Sequence, residues 1–178
     1  MEREKQLENP EFIFSVRMAG LSDINYIPEI SEWTKNAGTM LPKTTEELLE
    51  LFMRNRSAIV TNALGEIVSH AAATFIYDED GAIEFGALVT GEKFKGRGAA
   101  TLATKFLLRV LKNEYPGQTI FALANNMSEG IFKKLGAPIM STGEVGDGVW
   151  VYCETSCPRF PGKGKCCDTP YKLTDIIT

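Results

Sequence analysis

At 178 residues with 44% hydrophobic content, the chain is sized for one domain that encloses a core and a ligand cleft, not for two full domains. A formal net charge of -4 argues against a general nucleic-acid or membrane-surface binder, which would carry a broad basic face. Residues 1–10 are polar and charged, without the apolar core of a signal peptide, and no apolar run is long enough to span a bilayer. A cytoplasmic protein without nucleic-acid or membrane partners is the expectation.

After an N-terminal extension of residues 1–11, residues 12–17 alternate as a short strand, and Ser22 or Asp23 can cap a helix running through Trp33. Thr44-Thr45-Glu46-Glu47 opens a second helix, with Leu48, Leu49, Phe52 and Met53 at helical spacing and an end near Asn55. Three strands are expected next: one around residues 58–60, a long one over 66–77 and a third over 83–90. They are joined by turns at residues 62–65 and 78–81, forming an antiparallel meander in which Gly86 marks a bulge or a close approach. Ala99, Leu102, Ala103, Phe106, Leu107, Val110 and Leu111 then recur at three- and four-residue steps, the pattern of an amphipathic helix of about four turns. Residues 119–123 read as a strand, 128–135 as a short helix stopped by Gly136, and 149–153 as a last strand. The tail over residues 154–178 reads as irregular. The fold class is mixed α/β: a mostly antiparallel mixed sheet flanked by helices in a single domain over residues 1–178.

The stretch between the third strand and the long helix is Gly91-Glu92-Lys93-Phe94-Lys95-Gly96-Arg97-Gly98-Ala99-Ala100-Thr101. Glycines there let the backbone approach a ligand, and the first turn of the following helix offers unpaired N–H groups to an anion. A P-loop would need a Lys-Ser/Thr pair after Gly96, and that pair is missing. The dinucleotide fingerprint fails as well, because Thr101 stands where a third glycine belongs and a meander precedes the turn. An ordinary glycine-rich connection is the plain alternative.

Lys95-x-x-Gly98-x-Ala100 resembles the Arg/Gln-x-x-Gly-x-Gly/Ala signature of the GCN5-related N-acetyltransferase superfamily, with Lys95 in place of Arg or Gln. The order of elements over residues 12–135 resembles that superfamily too, as does Phe132-Lys133-Lys134-Leu135-Gly136-Ala137 its Tyr-Glu-Lys-Leu-Gly-Phe ending. The resemblance implies acetyl-coenzyme A as co-substrate. It would be held by the backbone of Leu88, Val89 and Thr90, by the loop Lys95, Gly96, Arg97, Gly98, Ala99, Ala100 and Thr101, and by Asn126, which reads equally as a helix-capping residue.

The same resemblance offers Glu84 as the general base, a solvent-facing strand residue being the alternative; His70, the only histidine and on the long neighbouring strand, is a second candidate more simply read as structural. Phe132 has no hydroxyl to protonate a departing thiolate, although a thiol of pKa about 8.5 leaves readily near neutral pH. The expected activity is direct acetyl transfer to the primary amine of a small molecule, an amino acid or related metabolite. The alternative is a non-catalytic acyl-coenzyme A-binding or regulatory module. A homodimer stays open.

Cys153, Cys157, Cys166 and Cys167 cluster at one end of the chain, and adjacent Cys166 and Cys167 are awkward as two ligands of one ion. Reduced thiols are favoured over zinc, so no metal is expected, and a redox-sensitive or substrate-facing cysteine is the other alternative.

Overall fold

The computed structural model describes residues 9–38, 40–141, 143–156 and 169–176. Its centre is a six-stranded mixed sheet in sequence order. β1 (Phe14–Met18), β2 (Ser57–Asn62), β3 (Ile67–Tyr77) and β4 (Ala82–Thr90) pair antiparallel, so the expected meander forms. β4 then runs parallel to β5 (Thr119–Ala124), and β6 (Thr169–Lys172) closes the edge antiparallel to β5. This is the mixed α/β architecture that the element order implied.

Helices cover both faces. α1 (Ile27–Asn36) and α2 (Thr45–Met53) place Ile27, Ile30, Leu48, Leu51 and Phe52 against Ile59, Ile67 and Ala72 on one face. Thr44 caps α2 reciprocally: its hydroxyl accepts from the Glu47 N–H at 3.2 Å, and the Glu47 carboxylate accepts from the Thr44 N–H at 2.8 Å. On the other face α3 (Ala99–Glu114) buries Ala103, Leu107, Leu108 and Leu111 against Val60, Val68, Ile83 and Phe85. Those three leucines are at most 1% exposed; burying each contributes about 2 kcal/mol of apolar transfer.

Three local readings change. The first helix is preceded by a 3-10 segment, Leu21–Tyr26, in which Asp23 accepts from the Gly20 N–H at 3.0 Å and pairs with Arg17 through two 2.6 Å contacts. Residues 149–153, read as a strand for their valines and tyrosine, belong to α5 (Asp147–Ser156). Val149 and Trp150 are both buried while Val151 is 58% exposed, which fits one face of a helix turned to the core, and the Asp80 carboxylate accepts from the Gly148 N–H at 3.1 Å to hold the helix start. The tail read as irregular contains β6, where Pro170 sits on an edge strand that can tolerate its missing donor.

One irregularity shapes everything that follows. Ile83 and Phe85 of β4 pack on the α3 side, yet Ala87 and Val89, still two residues apart in turn, pack on the α1/α2 side. The side-chain alternation is reset between them by a bulge: pairing jumps from His70–Val89 to Ala72–Gly86, and Ala87 takes φ = 49°. The expected irregularity near Gly86 is therefore centred one residue later, while Gly86 itself has Thr74 so close that a Cβ would meet it at 3.1 Å.

Candidate active site

β4 and β5 share ladder pairs only at Ala82–Thr119, Ile83–Ile120 and Glu84–Phe121. Past Glu84 the two strands no longer pair, and ligands of parallel strands bind where such carboxyl ends part. A cleft of about 670 Å³ lies there. Of the residues expected to hold the co-substrate, it is lined by Leu88, Val89, Thr90, Lys95, Gly96, Gly98, Ala99, Ala100 and Thr101.

Gly98 is the N-cap of α3 at φ = 85°, and Gly96 takes φ = 74°. Both are conformations that a side chain would strain, and the space a Cβ would enter is open at each. Gly98 brings no capping side chain and the first turn holds no acidic residue. The leading N–H groups of α3, with the positive end of its dipole, therefore meet the cleft with no carboxylate in their own first turn, while Glu92 of the loop lines the cleft and pairs with Lys95.

The basic residues of the loop divide. Lys95 lines the cleft and pairs with Glu92 at 2.5 Å. Lys93 turns to Glu66 at 3.0 Å and Glu11 at 3.3 Å. Arg97 is not in the lining: its guanidinium lies 3.6 Å over the ring of Phe12. A cation that sequence reading did not single out, Lys134, lines the cleft from just beyond Phe132.

After β5, Asn125 lines the cleft and exposed Asn126 does not. The Asn125 side chain accepts from the N–H groups of Met127 at 2.9 Å and Ser128 at 3.1 Å, shaping the turn into α4 (Glu129–Lys134). Phe132 is 2% exposed, edge-on to Phe85 and beside Tyr171, so it belongs to the core.

Trp33, Asn36, Ala37 and Met40 form a wall from the end of α1 that sequence reading missed. The signal was Gly91, read only as part of the loop. A Cβ there would meet the Trp33 indole at 2.8 Å.

Glu84 is half-buried and accepts a 3.1 Å hydrogen bond from the Tyr77 hydroxyl. It lies opposite Phe75 and beside Phe121, and is not part of the cleft lining. His70 is fully buried, with ring contacts to the Ala87 carbonyl at 2.9 Å and the Ser57 hydroxyl at 3.1 Å. Burial pushes its pKa down to about 4. A ring so enclosed cannot take a proton from a substrate, which leaves it the structural reading. Cys157, Cys166 and Cys167 lie outside the described residues, and the Cys153 backbone is part of α5. Among the described residues no group of three or more His, Cys, Asp and Glu could hold a metal, and no helix is long and apolar enough to cross a membrane.

A glycine-started helix terminus opening beside a splayed pair of parallel strands is a frame for a phosphate-bearing ligand, and likeness to known proteins narrows the class. The model of the acetyltransferase (GNAT) family matches residues 27–137, and the chain belongs to that family. It is an acetyl-coenzyme A-dependent acetyltransferase. An uncharacterized N-acetyltransferase of Chlorobaculum tepidum is 27% identical over 144 residues, covering 81% of this chain and 87% of that one. Among solved structures, the N-acetylglutamate synthase of Neisseria gonorrhoeae, complexed with coenzyme A and N-acetyl-glutamate, superposes with a TM-score of 0.71 at 17% identity. That match covers 90% of this chain, which spans only 35% of the synthase. A Mycobacterium tuberculosis protein in complex with coenzyme A and a second ligand matches with a TM-score of 0.67 at 18% identity, over 92% of this chain and 99% of that one. These two likenesses are of fold.

Proposed function

We propose that this protein acetylates the primary amine of a small molecule by direct transfer from acetyl-coenzyme A, an amino acid or related metabolite being the acceptor class. The observation that carries the reading is the meeting of two features in one cleft: the uncapped start of α3 and the unpaired edge of β4 at Leu88, Val89 and Thr90. Backbone N–H groups of Ala99, Ala100 and Thr101 would bind the pyrophosphate, with Lys95 adding charge, and the β4 edge would pair with the amide-bearing arm. Arg97 and Asn126 stand outside the lining and would act indirectly, Arg97 through the loop conformation that its stack on Phe12 holds and Asn126 through the turn it shares with Asn125.

Acetyl-coenzyme A supplies an activated thioester; the chain supplies orientation and proton traffic. Glu84 would take the proton from the acceptor ammonium through water, because it is half-buried at the last β4–β5 ladder pair, where the strands part. The freed amine attacks the carbonyl carbon, the C–N bond forms as the C–S bond breaks, and the thiolate takes a proton from solvent, Phe132 having none to give. The acceptor class is supported by the synthase whose fold this chain shares. Phe132 is enclosed in the core and stands outside the cleft lining, so the proton for the thiolate is left to solvent.

Thiol release from acetyl-coenzyme A against a panel of amino acids and other small amines tests the acceptor class. We expect turnover on at least one amine, and for E84Q a fall in kcat of about tenfold or more with coenzyme A affinity kept. Tight cofactor binding without turnover on any of these amines would overturn the small-molecule acceptor.

A further inference from the structure

We propose that His70 is a positioning residue for acyl transfer, fixing the β4 bulge by donating a hydrogen bond from Nδ1 to the carbonyl of Ala87. This rests on the acyl-transfer reading of the cleft and adds to it a residue that touches no ligand.

The bonding pattern settles which nitrogen carries the proton. A carbonyl oxygen only accepts, so the 2.9 Å contact requires Nδ1–H, and Nε2 is left to receive the Ser57 hydroxyl at 3.1 Å. The ring is also stacked on Phe52, with centroids 6.0 Å apart and planes 30° from parallel. His70 and Ser57 are both 0% exposed within otherwise apolar surroundings. Buried polar groups of this kind are kept in place by their partners, and here the partner is the bulge.

The bulge needs such a donor. Between the pairs His70–Val89 and Ala72–Gly86, two residues of β4, Ala87 and Leu88, face the single Ala71 of β3. One carbonyl at such a site has no ladder partner, and Ala87 adopts a left-handed φ of 49° that alanine rarely takes. His70 supplies the missing donor. Ser69, its neighbour, donates to the Val89 carbonyl at 2.7 Å, so the stretch is gripped on both sides of Leu88. Leu88 is the first β4 residue of the cleft lining, directly after the anchored carbonyl. A peptide rotation at Ala87 is thereby passed straight to the edge that faces the thioester.

Because the chain has one histidine, imidazole 15N labelling gives the signals of His70 alone. We expect the Nδ1–H tautomer in the free protein and a shift of that signal on saturation with coenzyme A. H70L keeps volume and removes the donor, whereas H70N keeps an amide donor near the Nδ1 position. With an amine that the wild type acetylates, we expect kcat to fall about tenfold or more in H70L and about threefold or less in H70N, while the coenzyme A Kd stays within about threefold for both. The Nε2–H tautomer, an Nδ1 signal indifferent to coenzyme A, unchanged kcat in folded H70L, or H70N no better than H70L at equal Tm would each overturn the proposal. If H70L does not fold, the tautomer, the coenzyme A shift and H70N decide it. If the wild type acetylates no amine, the acyl-transfer reading fails by itself and the two spectroscopic outcomes still judge His70.

Discussion

Gly98 shows how one residue can hold two requirements at once. Its φ of 85° starts α3 from the left-handed region, and its missing side chain leaves the first turn open to the cleft. G98E should oppose both: a side chain at this φ costs about 1–2 kcal/mol, and a carboxylate beside the leading N–H groups competes with the anion they would bind. We expect the acetyl-coenzyme A Kd, measured by calorimetry, to rise about tenfold or more; an unchanged Kd would remove the α3 terminus from the binding site. Glu84 and His70 sit on the same pair of strands and divide differently. Glu84 keeps a half-exposed carboxylate on the Tyr77 hydroxyl, while His70 is sealed in with both ring nitrogens engaged.

Among the elements, β6 is the smallest and does the least local work. It is held from both sides: Phe121, Ala122, Leu123 and Ala124 of β5 each pair with one of its four residues, Ile139 bridges to Tyr171 on the other side, and Tyr171 packs beside Phe132 while its hydroxyl donates to Glu129 at 2.9 Å. Removing the chain from Thr169 onward would bare the β5 edge and uncover Phe132. We expect such a truncation to lower Tm by about 5 °C or more and to increase aggregation; an unchanged melting curve would show that β6 is dispensable. This element also marks where sequence reading stops. α3 was legible because its apolar stripe repeats within itself, and the glycine loop because its chemistry is carried by the backbone of neighbouring residues. β6 has four residues and a proline, and α5 has strand-like valines, so each takes its form from a distant partner, β5 or Asp80. The cleft divides in the same way. Its loop half could be read locally, whereas the Trp33 wall and the His70 clasp come from contacts that cross the fold.

For the whole molecule, His70 and Asp23 make stability depend on acidity in the same direction. The imidazole has a pKa of about 4 in the fold and about 6.5 unfolded, so between these values the unfolded chain binds the proton and the folded one does not. Stability is therefore full above about pH 6.5 and declines as pH falls toward 4, by about 3 kcal/mol in all. Asp23 extends the trend: the hydrogen bond from Arg17 holds its carboxyl below the usual range, and that contribution is lost as pH falls through the lowered value. Urea midpoints for wild type and H70N at pH 7, 5.5 and 4.5 test this, the wild type being expected to lose more between the first and last. A parallel decline in both would take His70 out of the account.

The contact between Gly91 and Trp33 couples the mouth of the cleft to the helix on its far side. A rigid indole 2.8 Å from where a Cβ would stand cannot share the space with a methyl group. A side chain at 91 therefore calls for a smaller ring at 33, and the width of the cleft beside α1 is inherited through two codons rather than one.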